Sequence, residues 1–107
     1  MSNIDLMING DAVQIIIHGH AGYADPGSDI VCAAISALST ALMNLVKRYA
    51  EDEFIKDWMI QEKDDFIHIY LKTCSNPLIE TTIDIFYISF KQLAEEYPEH
   101  VSINLLS

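Results

Sequence analysis

Ile4, Leu6 and Ile8 alternate with more polar neighbours, and Val13, Ile15 and Ile17 do the same a few residues later. A period of two marks a strand with one face on a core, so two strands are predicted. Asn9-Gly10 between them is a strong type I′ hairpin signal. The period then changes. Val31, Ile35, Leu38, Leu42, Leu45 and Tyr49 recur at steps of three and four, which predicts a helix over 29–50 with one buried stripe. Two further strands are read at 54–61 and 66–72, around the turn Glu62-Lys63-Asp64-Asp65. Ser75-Asn76-Pro77 joins an N-cap to an N1 proline. The helix it opens carries Ile79, Ile83, Phe86, Phe90, Leu93 and Tyr97 on one face and stops at Pro98. Val101, Ile103 and Leu105 close the chain as a last strand. The order ββαββαβ, with one apolar stripe per helix, predicts an α/β (α+β) two-layer sandwich: a mixed sheet with both helices packed on one face. Trp58 alternates with Phe54 and Ile60 and is assigned to the core or a dimer interface.

A chain of 107 residues is enough for one two-layer core, so 1–107 is read as a single domain. Residues 30–46 carry no charge, but Ser36, Ser39, Thr40 and Asn44 interrupt them and the stripe is one-sided. A core helix is expected there, and no membrane span. Two cysteines cannot build a disulfide framework and no charged leader opens the chain, so a reducing cytoplasm is expected. The formal charge of −10 argues against nucleic acid as a ligand. All six basic residues follow position 46, whereas the first 46 residues hold Asp5, Asp11, Asp25 and Asp29. A negative field of that kind would steer a basic substrate toward this half.

Within that acidic half lies the candidate chemistry. Gly19-His20-Ala21 is followed by Gly22, Gly27 and Asp29-Ile30-Val31-Cys32-Ala33-Ala34. Three of the four glycines in the chain fall in this short stretch, which predicts a flexible loop running from a histidine into a helix. Asp29 is the candidate N-cap, placing Cys32 in the first turn. A helix N-terminus favours a thiolate by about 0.3–1 kcal/mol, or about 2 in sheltered geometry. That alone is insufficient, so His20 would be needed to complete activation. Cys32 lies beside the predicted core stripe, on a line with Ser36, Ser39 and Met43, where packing has no evident need of a thiol.

These residues closely resemble the signature of the Prp family, the ribosomal-processing cysteine proteases. Gly19-His20-Ala21 and Asp29-Ile30-Val31-Cys32-Ala33-Ala34-Ile35-Ser36 carry the resemblance, and the chain length and element order agree with it. It implies a cysteine endopeptidase with a catalytic dyad of His20 and Cys32. Asp29 and Ser36 would be supporting residues, and Gly19, Gly22 and Gly27 would form a flexible substrate loop. It further implies a homodimer that removes a short N-terminal extension from large-subunit ribosomal protein twenty-seven, a basic protein, after an aromatic residue. No cofactor and no metal are expected. Phage relatives process a capsid or scaffold protein instead, and a non-catalytic dimeric module that binds a basic partner would show the same acidic loop.

His18, His20, Asp29 and Cys32 have the right ligand types for zinc, but structural sites favour tighter paired spacings. His18 is expected on the sheet face. His68 and His100 are assigned to surface or packing positions, and Cys74 to a loop with no base beside it. Asp29 serves equally as a cap or as a third catalytic member, and the cap is the favoured reading.

Overall fold

In the computed structural model, which describes residues 1–25 and 29–106, the alternating segments form strands β1 (Ser2–Asn9), β2 (Ala12–His18), β3 (Trp58–Lys63), β4 (Phe66–Lys72) and β5 (Val101–Leu106). Helix α1 (Ile30–Glu51) lies between β2 and β3, and helix α2 (Pro77–Glu96) between β4 and β5. The strands make one mixed sheet in the order β3-β4-β2-β1-β5, antiparallel except where β5 runs parallel to β1. The register aligns the apolar positions. Ile4 faces Ile17 and Leu6 faces Ile15, while Val13, Ile15 and Ile17 face Leu71, Ile69 and Ile67. These side chains therefore stand on one face of the sheet, and both helices cover it.

The hairpin turn departs from the Asn9-Gly10 reading. Asn9 pairs with Ala12, so the two loop residues are Gly10 and Asp11. Only Gly10 has a positive φ, +62°, the pattern of a II′ turn with glycine first, where a I′ turn would need both. Strand β3 also begins later than 54. Asp52 caps the end of helix α1 and Glu53 follows at φ +62°, and the Phe54 N–H returns to Tyr49 O at 2.9 Å. Residues 54–57 are thus spent turning the corner. Ile55, only 2% exposed, fills the core there while Phe54 stays outside. Trp58 points to the helix side, opposite Leu71, but β3 is an edge strand at the rim of the helix layer. It remains exposed and is not a core residue.

The buried face of α1 is broader than its leucine stripe. Ser39 and Met43 are buried with Val31, Ile35, Leu42, Val46 and Tyr49, whereas Leu38 and Leu45 are half-buried at its margin. Ser39 is tolerated inside because its hydroxyl donates to Ile35 O at 2.7 Å. The displaced face brings Cys32 against the core, so the thiol is half-buried and does pack. By length and composition α1 could cross a membrane, but its apolar side lies against the sheet and α2. Across that helix pair, Tyr49 and Thr82 hydroxyls meet at 2.6 Å.

Candidate active site

The site lies where β2 leaves the sheet. Gly19 follows it at φ +88°, and a Cβ there would overlap the carbonyl oxygen of Met1. Its N–H donates to Asp65 O at 3.1 Å and its carbonyl accepts from Ser2 Oγ at 3.2 Å. The exit from β2 is thereby fastened to the β3–β4 turn on one side and to β1 on the other. Gly22 has φ +66° with open space around it. Gly27 lies outside the described residues.

Asp29 is the N-cap of α1, its Oδ1 accepting from Cys32 N at 2.9 Å. Its Oδ2 accepts from Tyr23 N at 3.1 Å, so one carboxylate starts the helix and ties down the preceding loop. The hydrogen bond from the Cys32 backbone, with others from Tyr23 and Ala24, holds the Asp29 carboxyl below its ordinary range. Cys32 is the third helical residue. The Ala21 N–H points at its sulfur, 3.4 Å away, so the residue after His20 is seated on the thiol. Ala21 is itself 2% exposed, and its carbonyl is held by His100 Nδ1 at 3.0 Å. The Tyr23 ring packs edge-on against His100 and Tyr97.

His20 is 71% exposed and its Nε2 lies 2.9 Å from Asp65 Oδ1. No hydrogen bond joins it to Cys32 among the described residues. Both nonetheless line one open cleft of about 990 Å³, together with Asp29, Ser36 and Asp65. Ser36 stands one helical turn after Cys32, exposed on the same wall. Among the described residues, four carboxylates, Asp29, Glu62, Asp64 and Asp65, and one basic side chain, Lys63, line that cleft. Cys74 is exposed and remote from it. His18 lies 3.8 Å from Asp5 and does not line the cleft that holds His20, Asp29 and Cys32, so the four residues weighed for zinc do not converge among the described residues; His68 bonds Gln14 at 2.9 Å. Asp65 and His100 are not legible as site residues in the sequence. Both reach the site through tertiary pairing and share no local motif with His20.

A half-buried cysteine at a helix tip, beside a histidine loop in an acidic cleft, has the form of a thiol hydrolase centre. Comparison with known proteins decides the family. The model of the family Cysteine protease Prp matches residues 1–102. The chain belongs to the Prp cysteine protease family. Prp from Mycoplasma genitalium, a ribosomal processing cysteine protease, is 30% identical over 102 residues, covering 92% of this chain and 94% of its own. Crystal structures of the essential Prp from Staphylococcus aureus superpose on it along nearly the whole of both chains. The complex with a covalently linked product peptide gives a TM-score of 0.80 at 27% identity, covering 98% of this chain and 99% of that one. The complex with a substrate peptide gives 0.75 at 26%, with the same coverage. The two-helix, five-strand mixed architecture is therefore the Prp fold, and the chain is a cysteine protease.

Proposed function

We propose that this protein is an endopeptidase that trims an N-terminal extension from large-subunit ribosomal protein twenty-seven, with Cys32 as nucleophile and His20 as general base. The observation that carries this reading is the Ala21 N–H on Cys32 Sγ, which ties the histidine loop to a thiol at the N-terminus of a long helix. The relatives support the reaction class, being named ribosomal processing proteases, and the S. aureus enzyme binds a substrate peptide. The four carboxylates around the cleft suit a basic protein substrate. Two unpaired cysteines suit a reducing cytoplasm, and a homodimer is expected by family resemblance.

In this mechanism His20 takes the thiol proton, and the thiolate of Cys32 attacks the scissile carbonyl carbon. The C–N bond breaks as the imidazolium returns the proton to the leaving amine. His20 then deprotonates a water, which attacks the thioester, releases the carboxylate product and restores the thiol. The Cys32 N–H is engaged by Asp29 and is not free for the oxyanion. The Ala21 N–H, 3.4 Å from the sulfur, is a backbone donor placed beside the reacting atom and is the candidate for the oxyanion. Asp29 and Ser36 support the site, Asp29 by holding the helix start and the loop.

Cleavage of a peptide spanning the extension tests the assignment. Cys32→Ala should cost on the order of 10⁶-fold in kcat, the scale seen when a covalent nucleophile is removed. His20→Ala should cost about 10²–10⁴-fold. Cys74→Ala should cleave at the wild-type rate. An active Cys32→Ala protein, or equal losses in both cysteine variants, would refute it.

A further inference from the structure

His20 is not held by its own loop alone. Its neighbour Gly19 donates a main-chain hydrogen bond to Asp65 O, and the same Asp65 meets the imidazole at Nε2 through its side chain. One residue of the β3–β4 turn thus grips both the backbone and the ring of the histidine segment. Strand pairing explains the placement, because His18 at the end of β2 lies opposite Phe66 at the start of β4. The turn must therefore sit beside whatever follows β2. Asp65 itself has φ +61°, a conformation that aspartate adopts more readily than most residues.

A carboxylate can only accept hydrogen bonds, so the imidazole must carry its proton on Nε2 to make this contact. In the neutral ring, Nδ1 is then the unprotonated nitrogen. Nδ1 is the atom left free to receive the thiol proton. We propose that Asp65 is the positioning residue for His20, selecting the Nε2–H tautomer and stabilising the imidazolium that forms when Cys32 is deprotonated. This rests on the His20–Cys32 reading above and adds a third member to it. Asp29, the carboxylate at the start of the cysteine helix, already accepts from Cys32 and Tyr23. Glu62 and Asp64 border the cleft, yet Asp65 is the carboxylate that contacts the ring.

The test uses Asp65→Asn and Asp65→Gly, both compatible with a left-handed backbone at this position. The peptide spanning the extension is the substrate, and iodoacetamide labelling of Cys32 is a second readout. Asn keeps an acceptor but loses the charge, and Gly loses both. The expected loss in kcat is about tenfold for Asn and up to about a hundredfold for Gly, with KM within about twofold. That is smaller than the roughly 10⁴-fold effect of neutralising a buried orienting aspartate, because Asp65 is 52% exposed. Labelling of Cys32 should slow in each single variant. In a His20→Ala background, neither Asp65 change should alter labelling further, since Asp65 acts through the ring.

Wild-type or higher kcat in both variants overturns the proposal, the latter showing that Asp65 restrains the histidine. Slower labelling that persists without His20 also overturns it, as a structural role of the turn would do. If Cys32→Ala or His20→Ala cleaves normally, the dyad reading falls. If both are inactive and the Asp65 variants are normal, only the role of Asp65 falls.

Discussion

Gly19 and Gly22 occupy nearly the same backbone region, yet replacing them with alanine should have very different effects. Each has positive φ, +88° and +66°, and a left-handed conformation costs an L-residue about 1–2 kcal/mol. At Gly22 nothing lies within 4 Å of the added methyl, so this conformational cost is the whole effect. At Gly19 the methyl also overlaps Met1 O, which is main chain and cannot rotate aside. Relief requires moving the start of β1 or the segment carrying Gly19, whose N–H and carbonyl are both hydrogen-bonded. Loosening those two bonds adds about 0.5–1.5 kcal/mol each, so Gly19→Ala should cost about 2–5 kcal/mol in total. Urea unfolding at neutral pH reads this difference as a change of midpoint at constant slope. Cleavage kinetics should follow, because the displaced segment carries His20: kcat should fall in Gly19→Ala beyond any loss in Gly22→Ala. If the two variants unfold within about 0.5 kcal/mol of each other, a spread expected of ordinary surface substitutions, the contact between Gly19 and the first strand does not constrain the site.

Salt should impair substrate capture more than chemistry. Raising ionic strength from about 0.15 M to 1 M shrinks the Debye length from roughly 8 to 3 Å, so kcat/KM for a full-length basic substrate should fall while kcat holds. A neutral peptide spanning only the scissile bond should be insensitive, and equal losses for both would show that the acidic cleft does not steer. Asp29 should make stability pH-dependent. Its carboxyl titrates below its unfolded value near 3.8, so its charge stabilises the fold above that pH and the contribution disappears as pH falls through the lower folded value. The gap in Tm between wild type and Asp29→Asn should be constant near neutrality and change, to the wild type's disadvantage, below about pH 4. A gap that stays constant into strong acid would mean the capping bonds do not depend on the charge.

The period of the apolar positions was sufficient to determine the seven elements and their order, because burial on one face imposes a period of two on strands and near 3.6 on helices. The cap at Asp29 and the N1 proline of α2 were equally legible, since helix ends are satisfied by residues a few positions away. The same locality placed Cys32 in the first turn of α1. The width of the buried face of α1 was not legible: Ser39 and Met43 are inside while Leu38 and Leu45 lie at the margin, so the face the helix presents to the core is not the one its leucines mark. The extent of β3 was also hidden, because Phe54 and Ile55 are apolar like the strand that follows, but residues 54–57 are consumed by the return from α1. Above all, tertiary structure decided the surroundings of His20. Asp65 is 45 positions away and reaches it only because β2 pairs with β4, while His100 reaches Ala21 only because β5 closes beside β1. Sequence patterns report what each residue needs from its near neighbours. Which distant side chain answers a polar group depends on strand pairing, set by the packing of the whole core.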